Sequence, residues 1–505
     1  MTEEAPLLDR VRSLLRTASG GGADPAQLPA VGELARRLDE PLRVAIAGKV
    51  KAGKSTLLNA LVGQKLAPTD AGECTRIVTW YQAGTHYRVT LYPRQGSPRQ
   101  APFQRQRGAI AVDLGGLRPD DLERMVVEWP SPHLQPMTLI DTPGIASAST
   151  GGANWFEETG SDHPNSSDAV IYLMRHLHAN DVRFLEAFHD RDHGQARPVN
   201  AVGVLSRADE IGCGKLSSLE SAHKVAARWR DDPKVRQLCQ AVVPVAGLLA
   251  ETGTTLRESE FQALQVIAGA PPADIHAILL SSERFLREEC PVALDRERRV
   301  ALLDRLGLFG VRISVALVRE RKVDTARGLA NELVRRSGLQ ELRAVLLSQF
   351  AARADLLKAR STLLGLEAVL QRSRGGGSRE LAAQLEQVRA GAHELTEIGV
   401  LDALRAGDVT FAGAPAREVE RLLGAEGSDA RRRLGLPPDA PLDDVRNVAL
   451  QRLAHWQRRA ESPLAQRHAA PERVLIRTCE GIIAGLPTTS ANEAGVGVQT
   501  GTGTV

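Results

Sequence analysis

The stretch Gly48-Lys49-Val50-Lys51-Ala52-Gly53-Lys54-Ser55-Thr56 fits the pattern G-x-x-x-x-G-K-[ST] and directly follows an apolar run, Val44–Ala47. A strand, a glycine-containing loop and a helix in this order form a phosphate-binding loop. The glycines let backbone N–H groups turn towards phosphate oxygens, and the helix N-terminus presents the positive end of its dipole to the same anion. We expect Lys54 to reach the β- and γ-phosphates of a nucleotide and Ser55 to bind Mg²⁺.

All residues expected to contact the phosphates lie in this loop or in the first turn of the helix. They are Gly48, Val50, Lys51, Ala52, Gly53, Lys54, Ser55 and Thr56. The alternative is a glycine-containing turn between a strand and a helix that binds nothing. The strand that precedes the pattern favours the phosphate-binding loop.

Length and composition are those of an ordinary globular protein with more than one domain. The chain has 505 residues, of which 43% are hydrophobic and 25% charged. Its 64 basic and 61 acidic residues leave a net charge of +3, so no overall field favours nucleic acid as a partner. The 5 cysteines are scattered without C-x-x-C spacing, and their odd number argues against a complete disulfide framework, so we expect a reducing compartment. No apolar run is long enough to span a bilayer.

Short β-rich runs alternate with helical or loop segments from Leu42 to about Gly247. The runs are Val44–Ala47, Ile77–Tyr81, Val89–Tyr92, Thr138–Ile140, Ala169–Leu173, Val199–Leu205 and Val242–Val245. This rhythm predicts an α/β fold of the P-loop type, with a mostly parallel sheet and helices on both faces. Extra strands are expected between positions 82 and 135.

The rest of the chain predicts helices. Residues 7–16 and 28–38 carry helical spacing of apolar residues, and no proline occurs from Val292 to Ala414. Apolar residues recur at helical steps from Leu339 to about Gln371 and again from Leu381 to Leu395, which predicts an antiparallel helical hairpin. Its first arm would extend about 50 Å and project as a stalk.

These patterns predict four regions. They are N-terminal helices in residues 1–41, an α/β domain in 42–255, a helical neck and trunk in 256–486, and a disordered tail in 487–505. We expect the helices on both sides of the α/β domain to combine into one elongated all-α bundle.

Two segments are candidates for the switches that surround a γ-phosphate. The run from Met137 to Gly144, M-T-L-I-D-T-P-G, predicts a strand that ends in a tight turn. Asp141 can hold Mg²⁺ through water, and the Gly144 N–H can meet the γ-phosphate. Thr75 is the candidate switch threonine, whose hydroxyl would complete the Mg²⁺ shell and whose carbonyl would orient the attacking water. A threonine that simply begins a strand is the alternative.

The sequence Ser206-Arg207-Ala208-Asp209 ends the next apolar strand, where GTPases typically have Asn-Lys-x-Asp. The Asp209 carboxylate can accept hydrogen bonds from guanine N1–H and the exocyclic amine, which adenine cannot supply. We expect Ser206, Arg207 and Asp209 to bind the base, backed by Ala246 in the loop after the last strand. The alternatives are a turn aspartate without a ligand and an ATPase site.

These motifs, in an enlarged domain flanked by helices on both sides, resemble those of a bacterial dynamin-like GTPase. The resemblance extends to the isoniazid-inducible dynamin-like proteins of mycobacteria and covers most of the chain. It implies hydrolysis of GTP to GDP and phosphate with Mg²⁺. It also implies self-assembly through the GTPase domains and the stalk, or pairing with a paralogous dynamin-like partner. The implied location is cytoplasmic, peripheral to the inner face of the plasma membrane.

Lys51 stands where eukaryotic dynamins usually carry serine. A cation there could stabilise developing charge in cis, as an arginine finger does, and a solvated loop charge is the alternative. Together with the motifs above, this makes Lys51, Lys54, Thr75 and Gly144 the expected catalytic residues. The expected metal ligands are Ser55 and Thr75.

The expected membrane contact is less specific than the nucleotide site. The hairpin tip from Arg372 to Arg379 is basic and lacks a large apolar residue. Its arginines could attract anionic headgroups at about 1 kcal/mol each, and a solvated turn is the alternative. The segment Ile398–Leu404 is a second candidate, which is equally consistent with a buried helix.

Two functions remain open: a dynamin-like GTPase that remodels membranes, and a regulatory GTP switch whose helical arm recruits a protein partner.

Overall fold

A computed structural model describes residues 6–67, 77–106, 109–142, 167–176, 200–212, 214–372, 377–411, 413–461 and 469–487. Eleven strands occur in these ranges. They are β1 (Leu42–Gly48), β2 (Thr79–Ala83), β3 (Arg88–Pro93), β4 (Arg99–Gln100), β5 (Phe103–Gln106), β6 (Ala109–Val112), β7 (Leu122–Trp129), β8 (Met137–Asp141), β9 (Ala169–Met174), β10 (Ala201–Ser206) and β11 (Ala241–Val245).

Nine of these strands form one sheet in the order β11-β10-β9-β1-β8-β2-β7-β3-β4. β1 lies near its centre and pairs in parallel with β8 and β9, and every residue of β1 is buried. β2 pairs antiparallel with β8, and β3 antiparallel with both β4 and β7. The predicted mostly parallel sheet with extra strands after position 82 is confirmed.

The helices precede, interrupt and follow this sheet. They are α1 (Leu7–Thr17), α2 (Leu28–Asp39), α3 (Lys54–Val62), α4 (Ser218–Asp231), α5 (Pro233–Leu238), α6 (Gly247–Thr255), α7 (Glu258–Gly269), α8 (Pro272–Ile278), α9 (Ser282–Phe285), α10 (Arg296–Arg319), α11 (Ala326–Arg336), α12 (Leu339–Gln349), α13 (Ala354–Arg372), α14 (Gly377–Gly391), α15 (His393–Ala406), α16 (Ala416–Leu422), α17 (Ala430–Leu434), α18 (Leu442–Ala460) and α19 (Ala469–Ala484).

Alternate residues of β1 point to opposite faces of the sheet, and each face has its own buried cluster. Val44 and Ile46 belong to a cluster that contains α3 residues, whereas Ala45 and Ala47 belong to one that contains residues of α4, α7 and α10. α7 and α10 lie beyond residue 255 and share this buried cluster with the strands. The domain division at residue 255 stays a prediction.

The N-terminal helices pack on the helical region that follows the sheet. α1 and α2 share a buried cluster with α13 and α14, in which Leu34, Leu38 and Leu366 are almost fully shielded from solvent. Segments from both sides of the α/β domain therefore combine into one helical assembly, as predicted. A buried ion pair ties this assembly to the sheet, because Arg37 of α2 contacts Asp168, just before β9, at 2.8 Å.

The predicted single arm from Leu339 to Gln371 is wrong. α12 ends at Gln349, a short 3₁₀ turn follows, and α13 begins at Ala354. The Gln349 side chain donates to the Ala425 carbonyl at 2.9 Å, and the Arg353 side chain donates to the Gly424 carbonyl. These distant contacts hold the break, and Leu339, Leu342 and Leu346 of α12 are buried in the same cluster as strand residues. α12 therefore packs on the α/β domain and does not project from it.

The two candidate membrane contacts have different outcomes. Ile398, Leu401 and Leu404 are buried within α15, which agrees with the buried-helix alternative. Residues 373–376 of the hairpin tip lie outside the described residues. Within the described part of the chain, no helix combines the length and the apolar character needed to cross a membrane.

Candidate functional site

The phosphate-binding loop connects the end of β1 to the start of α3. Positive φ angles occur at Gly48 (148°), Lys51 (61°) and Gly53 (97°). A β-carbon on Gly48 would lie 2.8 Å from the Leu173 carbonyl oxygen of β9, so only glycine fits beside that strand. The Lys54 ammonium donates to the Gly48 carbonyl at 3.2 Å, which folds its side chain back over the loop.

Lys54, Ser55 and Asp141 interact with one another beside the loop. Burial raises the pKa of Asp141 to about 6, although the Lys54 charge and a hydrogen bond with Ser55 both favour the ionised carboxylate. Burial likewise lowers the pKa of Lys54, and the Asp141 charge opposes that shift. A hydroxyl beside a carboxylate suits Mg²⁺, which keeps several waters and takes few protein ligands.

The two predicted switches lie largely outside the described residues. Thr75 falls in the range 68–76 and Gly144 in 143–166, neither of which the structure describes. At the edge of the second range, the Thr142 hydroxyl donates to the Ile46 carbonyl at 2.9 Å, which ties the end of β8 to β1. The assigned roles of Thr75 and Gly144 stay predictions.

The sequence S-R-A-D forms a tight turn at the end of β10. Arg207 has a left-handed φ of 54°, and a short 3₁₀ turn follows at Ala208–Glu210. The Ser206 hydroxyl donates to the Met174 carbonyl at 3.2 Å. Asp209 is only 7% exposed, and burial, with a smaller contribution from Glu210, raises the pKa of its carboxyl group against the charges of Arg207 and Arg175.

One cavity of about 140 Å³ joins these two motifs. It is lined by the phosphate loop and α3, by the S-R-A-D turn and by the start of α6. The lining residues are Ala52, Gly53, Thr56, Leu57, Leu173, Val204, Ser206, Arg207, Asp209, Glu210, Val245, Gly247 and Leu248. The arrangement places Asp209 and residues of the phosphate loop in the walls of the same cavity.

Other predicted residues lie around this cavity without lining it. Val50 is 53% exposed, and Ala246 is fully buried, with its N–H donating to the Ser337 carbonyl at 2.9 Å. Ala246 is thus engaged by the helical region, while its neighbours Val245 and Gly247 line the cavity.

Several lining residues were not predicted from the sequence. Leu173 and Val204 are ordinary apolar strand residues that reach the cavity only because β9 and β10 lie side by side. Glu210 is adjacent to the predicted Asp209, and Leu248 lies two residues after the predicted Ala246, but neither carries a distinctive pattern of its own. In the apolar run Leu57–Val62, the polar Asn59 is fully buried, and a polar residue in such a run is a sequence signal of a buried contact.

The parallel sheet, the loop at the end of its central strand and the aspartate two strands away define a P-loop mononucleotide-binding domain. A sequence profile described as Dynamin family matches residues 44–206. The isoniazid-induced protein IniC of Mycobacterium tuberculosis is 39% identical over 492 residues, which cover 94% of this chain and 98% of IniC. The chain therefore belongs to the bacterial dynamin-like proteins of the dynamin family and is a GTPase.

More distant similarities are weaker. A bacterial dynamin-like protein of Nostoc punctiforme is 26% identical over 317 residues, which cover 58% of this chain and 43% of that protein. A solved chain from an oligomerised bacterial dynamin pair aligns at 12% identity and a TM-score of 0.34, covering 96% of this chain and 90% of that one.

Proposed function

We propose that this GTPase binds GTP with Mg²⁺, hydrolyses it to GDP and phosphate, and couples hydrolysis to self-assembly and to peripheral binding or remodelling of membranes. The observation that carries the nucleotide part is the cavity that both the phosphate loop and Asp209 line. A nucleotide that spans this cavity would contact the loop with its phosphates and Asp209 with its base.

The phosphate end has one proposed role for each residue. The loop N–H groups and the Lys54 ammonium bind phosphate oxygens, and Ser55 and Thr75 bind Mg²⁺, with Asp141 acting through water. When bound, Mg²⁺ would neutralise charge on the β- and γ-phosphate oxygens. The Gly144 N–H contacts the γ-phosphate, and Lys51, whose side chain is exposed, is available to stabilise developing charge.

The base end accounts for the preference for guanine. A buried aspartate that lacks its hydrogen-bond donors is costly, so a base that supplies two N–H groups is favoured over adenine. Val245, Gly247 and Leu248 provide an apolar surface beside this position. ATP should therefore bind more weakly than GTP.

Titration with fluorescent GTP, GDP and ATP tests the nucleotide part. We expect Asp209→Ala to lose the preference for guanine, Lys54→Ala to abolish turnover, and Thr75→Ala to bind GTP without hydrolysing it. If wild-type protein fails to bind guanine nucleotides at millimolar concentration with magnesium present, the proposal is wrong. Normal turnover in Thr75→Ala would instead show that another residue serves as the switch threonine.

Assembly and membrane binding rest on membership of the dynamin family and on the helical assembly that α1 and α2 build with α13 and α14. We propose homo-oligomers or a paralogous dynamin-like partner, and a location at the inner face of the plasma membrane. Light scattering with GDP and with a non-hydrolysable GTP analogue should show larger particles in the GTP-like state. A constant monomer mass in both states would contradict self-assembly.

A regulatory GTP switch that recruits a protein partner is the second candidate. It is favoured by the burial of Ile398, Leu401 and Leu404, which removes one of the two predicted lipid contacts. Co-sedimentation with anionic and neutral vesicles, with and without GTP, separates the two functions. Binding to anionic vesicles supports the membrane function, and the absence of binding in every nucleotide state supports the switch.

A further inference from the structure

Asn59 makes an unusual set of contacts for a residue in the middle of an apolar helix. It lies on α3, one turn after Thr56, and is fully buried. Its side-chain oxygen accepts the N–H groups of Leu66 and Ala67, both at 2.8 Å, and its amide nitrogen donates to the Ala67 carbonyl at 3.0 Å. The Asn59 side chain therefore fixes the chain after α3 against α3 itself.

The same amide nitrogen reaches a buried carboxylate on another helix. It lies 3.3 Å from Oε1 of Glu251, which is on α6 and only 3% exposed. Burial raises the pKa of Glu251, opposed by the charges of Lys65 and Arg305 and by the Asn59 hydrogen bond. None of the roles assigned above uses this carboxylate.

Both members of the pair stand one turn away from cavity residues. Glu251 follows Gly247 and Leu248 on α6, and Asn59 follows Thr56 on α3, and these three neighbours all line the cavity. α6 approaches α3 closely at this point, since a β-carbon on Gly247 would lie 3.4 Å from Cγ2 of Thr56. The Asn59–Glu251 hydrogen bond thus joins the helix of the phosphate loop to the helix that borders the base position.

We propose that Asn59 and Glu251 are a positioning pair that fixes the spacing between the phosphate and base subsites of the nucleotide site. The inference rests on the proposed function, because it assumes that one nucleotide spans both subsites. A ligand that contacts both subsites gains affinity only when their separation matches its own length. A ligand that contacts the phosphate loop alone is insensitive to that separation.

GDP and inorganic pyrophosphate are therefore the two probes. In Asn59→Asp, the introduced carboxylate no longer donates to Glu251 or to the Ala67 carbonyl, and we expect GDP affinity to fall about 10- to 100-fold. Pyrophosphate, measured as a competitor, should change less than about threefold. Adding Glu251→Gln restores a donor opposite the introduced carboxylate, and this double variant should recover about tenfold of the lost GDP affinity.

Glu251→Ala is a second test that leaves α3 unchanged and places a strong helix former in α6. It should also weaken the binding of GDP more than that of pyrophosphate. If Asn59→Asp does not fold, this variant alone tests the positioning role. Equal losses for both probes, an unchanged GDP affinity in Asn59→Asp, or a double variant no better than the single one would each overturn the positioning role. Wild-type protein that binds neither probe would instead overturn the proposed function.

Discussion

The guanidinium of Arg207 donates a hydrogen bond of 2.9 Å to the carbonyl oxygen of Lys51, 156 residues earlier in the chain. Lys51 is the non-glycine residue of the phosphate loop with a left-handed backbone, at φ 61°. The same guanidinium pairs with Glu210 at 2.7 Å. Arg207 thus links the turn that carries Asp209 to the loop that binds phosphate.

Replacement of Arg207 by alanine should loosen the phosphate loop as well as the base end of the site. One hydrogen bond from a charged group is worth about 1.5–3 kcal/mol, so we expect GDP affinity to fall about 10- to 100-fold. Equilibrium titration with fluorescent GDP measures it. Arg175→Ala is the matched control, because Arg175 pairs with the same Glu210 at 2.5 Å and does not line the cavity. An equal loss in both variants would show that only the Glu210 pair matters.

The sequence predicted the parts of the site that depend on local pattern. The strand, loop and helix around Gly48 follow one another along the chain, and the central strands are apolar because both of their faces are buried. The break after Gln349 was not predictable in this way. No glycine or proline marks it, and its partners Gly424 and Ala425 are more than 70 residues away.

The same distinction separates the predicted site residues from those that were missed. Lys54 and Asp209 stand in recognisable motifs, whereas the Asn59–Glu251 contact joins residues 192 positions apart. A buried Asn in an apolar helix signals that a partner exists, but only the packing of α6 on α3 identifies it.

The preference for guanine should weaken at acidic pH. Because burial raises the pKa of Asp209, its carboxylate accepts protons at a higher pH than an ordinary aspartate, and the neutral acid loses one acceptor for the guanine N–H groups. The ratio of GDP to ADP affinity, measured in EDTA, should therefore fall as pH drops through that raised pKa. Both nucleotides carry the same diphosphate, so titration of the phosphate groups and of Asp141 cancels in the ratio. Asp209→Asn should give a low ratio at every pH, and a pH-dependent ratio in that variant would assign the titration to another group.

The buried pair of Arg37 and Asp168 should stabilise the junction between the N-terminal helices and the sheet. Asp168 also accepts the Arg43 N–H at 2.9 Å and the Ser361 hydroxyl at 2.6 Å. Asp168→Ala leaves the Arg37 charge buried without this carboxylate, so we expect a loss of about 3–5 kcal/mol in the free energy of unfolding. Chemical denaturation measures it.

An exposed ion pair in the same helices provides the control for Asp168. Arg12 of α1 contacts Asp39 of α2 at 3.0 Å, and the side chain of Asp39 is 73% exposed. Asp39→Ala should change the free energy of unfolding by less than about 1 kcal/mol, because water already screens both charges. Similar losses in the two variants would contradict a special role for the buried pair.

Substitution of Gly338, between α11 and α12, should destabilise the fold and also weaken nucleotide binding at the base end of the site. Its φ is 81°, and a β-carbon there would overlap the carbonyl oxygen of Pro244 in β11. The preceding Ser337 carbonyl accepts the Ala246 N–H, so displacement of Gly338 should also shift the loop beside the cavity. Left-handed strain and the clash together should cost about 3 kcal/mol or more in Gly338→Ala. GDP affinity should fall as well.

Gly399→Ala is the control, since Gly399 lies inside α15 with open space at its β-position and alanine favours the helix there. Calorimetric melting and GDP titration of both variants measure the two effects, and a Gly338→Ala protein that melts and binds GDP like wild type would rule out this coupling.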